Sequence, residues 1–337
     1  MQVKISQAIP MITDFIKARL VPMVMGSPGC GKSMIVQQIA KDYGLKVIDK
    51  RLSQCDPTDL AGFPKIGATK AGYVPMEDFP IEGDLIPAGY NGWLLFLDEF
   101  NSAPLGVQAA SYKIVLDRMV GQHKLHKNVA IVCAGNLETD NAIVQPMSTA
   151  MQSRLVHMEL VVDAKEWVDW ATSAGIDHRI TDFVNFKPSC LYTFKPDHTD
   201  KTYACPRTWE FANRVLKTVD IQAPHFLKSL AGTISEGVAR EFVAFSKIYN
   251  ELPKIEQVIS SPLITPVPTE PSVLFAMVGS LSDKTEITNF EPIMKYITRF
   301  PIEFQVVYVR SAIRRNKAVI AQPAFQSWHA SNAESFI

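Results

Sequence analysis

Cysteine is scarce in this sequence and follows no recognisable pattern. The 337 residues include five cysteines, an odd number, and no two of them form the C-x-x-C pairs of structural zinc sites. These absences argue against a disulfide-stapled fold and against a zinc-ribbon fold. Reduced thiols in a cytoplasmic protein are therefore the expectation.

Long hydrophobic runs are also missing. No stretch approaches the roughly 20 apolar residues that a membrane-spanning helix requires. The amino-terminal residues lack the continuous apolar segment and the cleavage site of a secretory signal peptide. We therefore expect neither a signal peptide nor a membrane partner.

Neither sign of charge is in excess, because 34 lysines and arginines balance 34 aspartates and glutamates. A formal net charge of zero disfavours a broad surface for nucleic-acid phosphates, although a local basic channel stays compatible with it. Nucleic acid is thus an unexpected partner but not an excluded one. With 47% apolar residues and a length that allows two domains, the sequence is typical of a globular protein.

A glycine-rich stretch early in the chain matches a phosphate-binding pattern. Residues 26–33 read GSPGCGKS and fit G-x-x-x-x-G-K-[ST]. An apolar run at 20–25 precedes the stretch and helical spacing follows it, so backbone N–H groups and a helix dipole would surround an anion. Lys32 would reach the β- and γ-phosphates of a nucleoside triphosphate, and Ser33 would hold Mg²⁺. The candidate triphosphate contacts are Gly26, Ser27, Pro28, Gly29, Cys30, Gly31, Lys32 and Ser33. For Cys30 a small filler role is favoured over a reactive thiol.

A second motif places two carboxylates at the end of an apolar run. Residues 93–101 read WLLFLDEFN, in which five apolar residues precede Asp98 and Glu99. Asp98 would bind Mg²⁺, directly or through water, and Glu99 would orient and polarise the attacking water. The alternative is a strand that ends in a solvated acidic turn. This alternative is less favoured because a phosphate-binding pattern precedes the motif in the chain.

The spacing of apolar runs predicts the fold of the first half of the chain. Five runs alternate with helical segments, which favours an α/β fold with a five-stranded parallel sheet covered by helices on both faces. Ligands bind at the carboxyl ends of such strands, where Lys32, Asp98 and Asn136 would all lie. Asn136 could hydrogen-bond the γ-phosphate or the water, or could be a plain turn residue. The five predicted strands lie at 20–25, 46–52, 93–98, 128–134 and 155–160.

Three further segments complete the predicted organisation. Residues 63–92 are rich in glycine and proline and would form an insert with a hairpin or a surface loop. Beyond residue 162 only helical spacing is evident, for example at 236–252. A proline-rich break near 260–271 would divide this all-helical part into 163–260 and 261–337.

Taken together, the motifs resemble those of the AAA+ ATPases, and most closely the MoxR-like branch, including the short CbbQ and NorQ type and related bacterial and phage proteins. The resemblance covers residues 20 to about 215. The narrower assignment depends on DPTDLAG and the long insert behind it. The stretches that carry the resemblance are GSPGCGKS, DPTDLAGFP (56–64), LLFLDEFN, AGN (134–136), QSR (152–154) and PRTWE (206–210).

The resemblance implies roles for three residues beyond the two carboxylates. Asn136 falls at the sensor-1 position, Arg154 at the arginine finger that reaches the neighbouring subunit's γ-phosphate, and Arg207 at sensor 2 in a helical lid, residues 163–260. A surface or lid–core salt bridge is the structural alternative for each arginine. Arg118 is a rival trans-acting arginine, which helix capping explains about as well.

The resemblance also implies an assembly. Members of this family form rings, usually of six subunits, with ATP and Mg²⁺ at the interfaces, and the insert would face the pore or the upper surface. The MoxR-like branch acts with a separate partner that carries a von Willebrand factor A (VWA) domain, and it remodels or activates a protein client. Two alternatives are a nucleic-acid motor or loader, and a non-catalytic scaffold that assembles on ATP.

Overall fold

A six-stranded parallel sheet forms the centre of the first of two units in the computed structural model, which describes residues 1–140, 144–248 and 252–336. The first unit comprises residues 1–162 together with 195–198. The second unit comprises residues 163–194 and the described residues from 199 onward.

The strands follow one another with helices between them, as expected for an α/β fold. The strands are β1 (Gln2–Val3), β2 (Pro22–Met25), β3 (Leu45–Arg51), β4 (Phe63–Ile66), β5 (Ala71–Val74), β6 (Gly92–Asp98), β7 (Met119–Val120), β8 (His123–Lys124), β9 (Val129–Gly135) and β10 (Val156–Leu160). The helices of this unit are α1 (Ile5–Lys17), α2 (Lys32–Tyr43), α3 (Pro57–Ala61), α4 (Leu105–Asp117) and α5 (Thr149–Gln152).

The main sheet has the order β1-β10-β2-β9-β6-β3, and all of its pairings are parallel. The parallel α/β fold is confirmed, but the predicted strand number of five is wrong. The sixth strand is β1, whose residues Gln2 and Val3 pair with Glu159 and Leu160 of β10. Two residues with a single buried side chain are too short to produce an apolar run that sequence reading detects.

The inner strands are buried on both faces, as their continuous apolar runs predict. Residues 93–97 of β6 are at most 5% exposed. Successive side chains enter opposite cores, because side chains alternate along a strand. Met23 and Leu95 pack on the side that holds α4, and Val24 and Phe96 pack on the side that holds α1 and α2.

A hairpin, β4–β5, lies inside the segment predicted as an insert, and its side chains are largely solvent-exposed. Phe63 and Ile66 on one strand are 56% and 87% exposed, and Tyr73 and Val74 on the other are 44% and 48% exposed. The hairpin therefore presents apolar surface that the first unit does not bury itself.

The described residues of the second unit form helices and connecting loops, with no strand among them. Its helices are α6 (Ala164–Ser173), α7 (His178–Phe186), α8 (Pro206–Thr218), α9 (Phe226–Ile234), α10 (Glu236–Lys247), α11 (Ile255–Ser260), α12 (Pro271–Asp283), α13 (Phe290–Ile297), α14 (Ile302–Arg315) and α15 (Pro323–Phe336). The helix predicted at 236–252 begins at Glu236, whereas residues 249–251 of that prediction lie outside the described residues. In the described parts of both units, no helix combines the length and the apolar character needed to cross a bilayer.

Helix α12 packs closely against α7 in this unit. A Cβ placed on Gly279 of α12 would lie 1.5 Å from Oδ2 of Asp182, which is buried on α7. Arg314 of α14 pairs with Asp169 of α6, and Arg315 pairs with Asp283 at 2.6 Å. Parts of the two segments predicted as separate, 163–260 and 261–337, are thus packed together in one unit.

Candidate functional site

The glycine-rich stretch forms the turn between β2 and α2, and its backbone explains its composition. Gly29 and Gly31 have φ values of 76° and 104°, in the left-handed region that favours glycine. A Cβ on Gly26 would lie 2.8 Å from Sγ of Cys30 and 3.3 Å from the carbonyl oxygen of Leu160. The loop can pass this close to Cys30 and Leu160 because Gly26 has no side chain.

Cys30 is a packing residue within this loop. Its side chain is 2% exposed, and burial raises the pKa of its thiol above the ordinary value, although Lys32 acts in the opposite direction. A buried thiol with a raised pKa is a poor nucleophile. The filler role is therefore the one that the surroundings of Cys30 favour.

Lys32, the first residue of α2, connects the loop with the tip of β9. Its Nζ atom donates to the carbonyl oxygens of Gly26 and Ser27, at 2.5 and 3.3 Å, and to Oδ1 of Asn136, at 3.1 Å. Ser33 follows Lys32 in the first turn of the same helix and is half-buried. Residues from two different strand ends thus share the carboxyl edge of the sheet.

Asn136 is held by a residue to which sequence reasoning gave no role. The side chain of Asn101 accepts from the Asn136 N–H at 3.0 Å and donates to the Asn136 carbonyl oxygen at 2.7 Å. Asn101 is 2% exposed, and a Cβ on Gly135 would lie 2.5 Å from its Oδ1 atom. The only signal in the sequence is an asparagine directly behind the carboxylate motif. Its partner is 35 positions away in the chain.

The two carboxylates at the end of β6 have different surroundings. Burial raises the pKa of Asp98, although the Glu99 N–H, which donates to its Oδ1 at 2.8 Å, and the charge of Lys32 lower it. Glu99 has a φ of 55°, in the left-handed region, and its Oε2 atom accepts a hydrogen bond from the hydroxyl of Ser53. Ser53 lies in the short turn after β3 and was also missed by sequence reasoning.

A third carboxylate lies beneath the loop. Ser27 donates from its hydroxyl to Oδ1 of Asp140 at 3.2 Å, and Asp140 is 9% exposed. Within the described residues, the second oxygen, Oδ2, is buried without a hydrogen-bond partner. Asp140 belongs to the short helical turn Glu138–Asp140 behind β9, and nothing in its sequence context had singled it out.

The three candidate arginines have different surroundings. Arg154 is exposed and donates to the carbonyl oxygen of Ala150 at 2.8 Å, and Arg207 is an exposed residue at the start of α8 in the second unit. Arg118 donates to the carbonyl oxygen of Val129, the first residue of β9, at the amino-terminal edge of the sheet. Neither Arg118 nor Arg154 has a described hydrogen bond to the residues of the phosphate loop.

Mg²⁺ has suitable oxygen donors at this edge. The Ser33 hydroxyl and the Asp98 carboxylate are hard oxygen donors of the kind that Mg²⁺ prefers, and it usually completes its shell with water and substrate phosphates. Among the described residues, no group of three or more histidine, cysteine, aspartate or glutamate side chains is arranged to hold a metal.

These features define the fold of the AAA+ P-loop ATPases: a parallel α/β sheet, a glycine loop before a helix, and a carboxylate pair on an inner strand. Residues 22–155 match the family model of the AAA domain, dynein-related subfamily. No curated protein matches the sequence.

The chain is also similar to several solved structures, at low sequence identity. A RuvB variant of Thermotoga maritima is 14% identical over 80% of this chain and 78% of that one, with a TM-score of 0.39. The replication initiator DnaA, bound to AMPPCP and single-stranded DNA, is 13% identical over 97% and 88%, with a TM-score of 0.35. NtrX of Brucella abortus, in complex with ATP, is 13% identical over 99% and 68%, with a TM-score of 0.34.

Proposed function

We propose that this chain binds ATP with Mg²⁺ and hydrolyses it as a subunit of a MoxR-like AAA+ ring. The observation that carries the proposal is the contact between Lys32 and Asn136, which joins the phosphate loop to the tip of the strand beside Asp98 and Glu99. A cation, an amide and two carboxylates at one strand edge are the groups that triphosphate hydrolysis requires.

The chain's own groups divide the work of the proposed reaction. Backbone N–H groups of residues 26–33 hold the phosphates, and Lys32 exchanges its contacts with the Gly26 and Ser27 carbonyl oxygens for phosphate oxygens. Ser33 and Asp98 would hold Mg²⁺, which neutralises charge on the phosphates. Glu99 positions the attacking water and accepts its proton, and the Asn136 amide binds the γ-phosphate or that water.

The position of Arg154 supports an active site shared between subunits. Val156 of β10 pairs with Pro22, the first residue of β2, so Arg154 precedes the amino-terminal end of the sheet. The phosphate loop begins at the other end of β2, about 13 Å away along four strand residues. An exposed guanidinium on the far edge is poorly placed for its own loop, and its exposure would let it contact a neighbouring copy in the proposed ring. Arg207 would contact phosphate from the helical lid.

The exposed hairpin supports a role on a protein client. Apolar surface concentrated on one projecting element is typical of interaction sites. We propose that Phe63, Ile66 and Tyr73 contact the client in a six-membered ring, with a separate VWA-domain protein as partner. The alternative of a nucleic-acid motor is less favoured because Arg314 and Arg315 are paired with aspartates. A non-catalytic scaffold is less favoured because Glu99 is present.

The test is ATP hydrolysis per subunit, measured with Mg²⁺ over a wide range of protein concentration. A shared site requires the specific rate to rise with concentration, in step with oligomer formation measured by light scattering. A specific rate that does not change with dilution, while the oligomer dissociates, would contradict the shared site. Absence of hydrolysis in the assembled ring would contradict the enzymatic proposal.

A further inference from the structure

A cavity of about 450 Å³ lies at the amino-terminal edge of the sheet, the edge opposite the phosphate loop. Its walls include Leu20 before β2, Leu45 at the start of β3, Asn91 before β6 and Val129 at the start of β9. The last turns of α1 and α2 complete it. All of these residues belong to the first unit.

The lining combines an apolar floor with several positive charges. Ile16, Ile39 and Ile131 contribute aliphatic surface, and Ile39 and Ile131 are each 1% exposed. The cationic residues of the lining are Lys17, Arg19, Arg118 and Lys127. Among the described residues that line the cavity there is no aspartate or glutamate, although the whole chain is neutral.

Three of these cations have no carboxylate partner among the residues that the structure describes. Neither Arg19 nor Lys127 takes part in a salt bridge there, and Arg118 uses its guanidinium on the carbonyl oxygen of Val129. Burial and the nearby charge of Arg19 both lower the pKa of Arg118, so the two guanidinium groups are close enough to repel each other. An anion between them would relieve this repulsion.

The backbone at the two arginines is unusual. Arg19 and Arg118 have φ values of 58° and 52°, in the left-handed region at helix ends where glycine or asparagine is normal. This conformation costs free energy for a residue with a Cβ. The end of a helix does not require arginine at either position.

We propose that this cavity binds a small organic anion, in which one acidic group is joined to an apolar body. Its volume lies in the usual range for small-molecule sites, roughly 300–1,000 Å³. Two arginines line this cavity, and guanidinium groups suit the planar, bidentate binding of a carboxylate, a sulfonate or a phosphate. The negative ends of the α1 and α2 dipoles offset part of the local positive charge, which fits one acidic group rather than several.

The test compares two dyes that share one aromatic body, using fluorescence titration of the full chain. Anilinonaphthalene sulfonate carries the acidic group, and N-phenylnaphthylamine does not. Arg19→Gln/Arg118→Gln should weaken binding of the sulfonate dye by about tenfold or more and change the neutral dye by less than about twofold. Arg214→Gln/Arg240→Gln, which removes the same charge from helix faces of the second unit, should change neither.

Two further measurements make the result decisive. If the circular dichroism of Arg19→Gln/Arg118→Gln shows that it is not folded, Arg19→Gln/Lys127→Gln replaces it, because that variant keeps the hydrogen bond of Arg118. It should likewise weaken binding of the sulfonate dye much more than binding of the neutral dye. Ala130→Leu, which fills the cavity from β9, should weaken both dyes. Equal effects on the two dyes in the charge variants, or loss of sulfonate-dye binding in a folded Lys32→Ala variant, would overturn the proposal. Neither outcome depends on ATP hydrolysis.

Discussion

Lys32 donates a hydrogen bond of 3.1 Å to Oδ1 of Asn136 across 104 positions of sequence. This contact brings together the beginning of α2 and the end of β9, two points that only the folded sheet makes neighbours. The carboxylates of β6 lie at the same edge, because β6 pairs with β9. Changes at this edge therefore give sharp tests of the proposed function.

Glu99→Gln should abolish turnover while ATP binding is kept. Glutamine preserves the shape of the side chain but cannot accept the water proton, and loss of a general base costs about 10² to 10⁴ in rate. Hydrolysis and equilibrium ATP binding should be measured on the same preparation. Glu138→Gln, an exposed change beyond Asn136, is the control and should leave the rate within about twofold. Full turnover by Glu99→Gln would mean that a group other than Glu99 activates the attacking water.

Asn101→Ala should reduce both stability and turnover. The substitution removes the partners of the Asn136 N–H and carbonyl groups, and each buried group left unpaired costs about 1–3 kcal/mol. Urea denaturation measures the loss of stability. Because Asn101 acts through Asn136, the rate of Asn101→Ala/Asn136→Ala should be close to that of Asn136→Ala alone. Multiplying effects on the rate would show that the two residues act independently.

Arg154→Ala should reduce turnover by about 10³-fold or more, with ATP binding retained, as expected for an arginine finger. Lys32→Ala should be inactive for a different reason, namely loss of the phosphate contact. Mixed rings of the two inactive variants should recover part of the activity, since some interfaces then combine an intact loop with an intact Arg154. Each inactive variant alone sets the background, and Arg240→Ala mixed with Lys32→Ala shows the activity expected when only one subunit type is inactive. No recovery in rings shown to be mixed would argue for a role of Arg154 within its own subunit.

Asp98→Asn should stabilise the nucleotide-free protein, with a gain that depends on pH. Burial raises the pKa of Asp98 in the folded state, so the folded chain binds this proton more tightly than the unfolded chain. Wild-type stability therefore falls as pH rises from the ordinary aspartate pKa through the raised one. The advantage of Asp98→Asn should be full near neutral pH and should vanish in acid. Urea denaturation across pH, with Asp117→Asn as the exposed control, measures it. A gain that is constant with pH would rule out this cause.

Two helical glycines of the second unit should respond in opposite directions to alanine. Gly279→Ala forces a Cβ into the carboxylate of Asp182 and should cost about 1–3 kcal/mol of unfolding free energy. Gly237 lies in α10, and no atom comes within 4 Å of the point that an alanine Cβ would occupy, so Gly237→Ala should gain up to about 1 kcal/mol. Thermal and urea denaturation distinguish the two. Equal effects would mean that α12 does not approach α7 this closely.

How much of the structure can be predicted from the sequence depends on how far apart the interacting residues lie along the chain. The five longer strands were evident because burial on both faces produces continuous apolar runs, whereas β1 depends on pairing with β10 and leaves no local pattern. The common edge of Lys32 and Asn136 followed from the alternation of strands and helices. Asn101, Ser53 and Asp140 could not be found in this way, because each bonds a residue at least 35 positions away.

The two hydrogen bonds between Asn101 and the Asn136 backbone have a consequence for how the strand ends can move. Asn101 follows the two carboxylates of β6 and bonds both the N–H and the carbonyl oxygen of Asn136, so two hydrogen bonds link the ends of β6 and β9. A movement of the end of β6, where Glu99 lies, would therefore also move Asn136 at the end of β9. The positions of Glu99 and Asn136 would therefore change together.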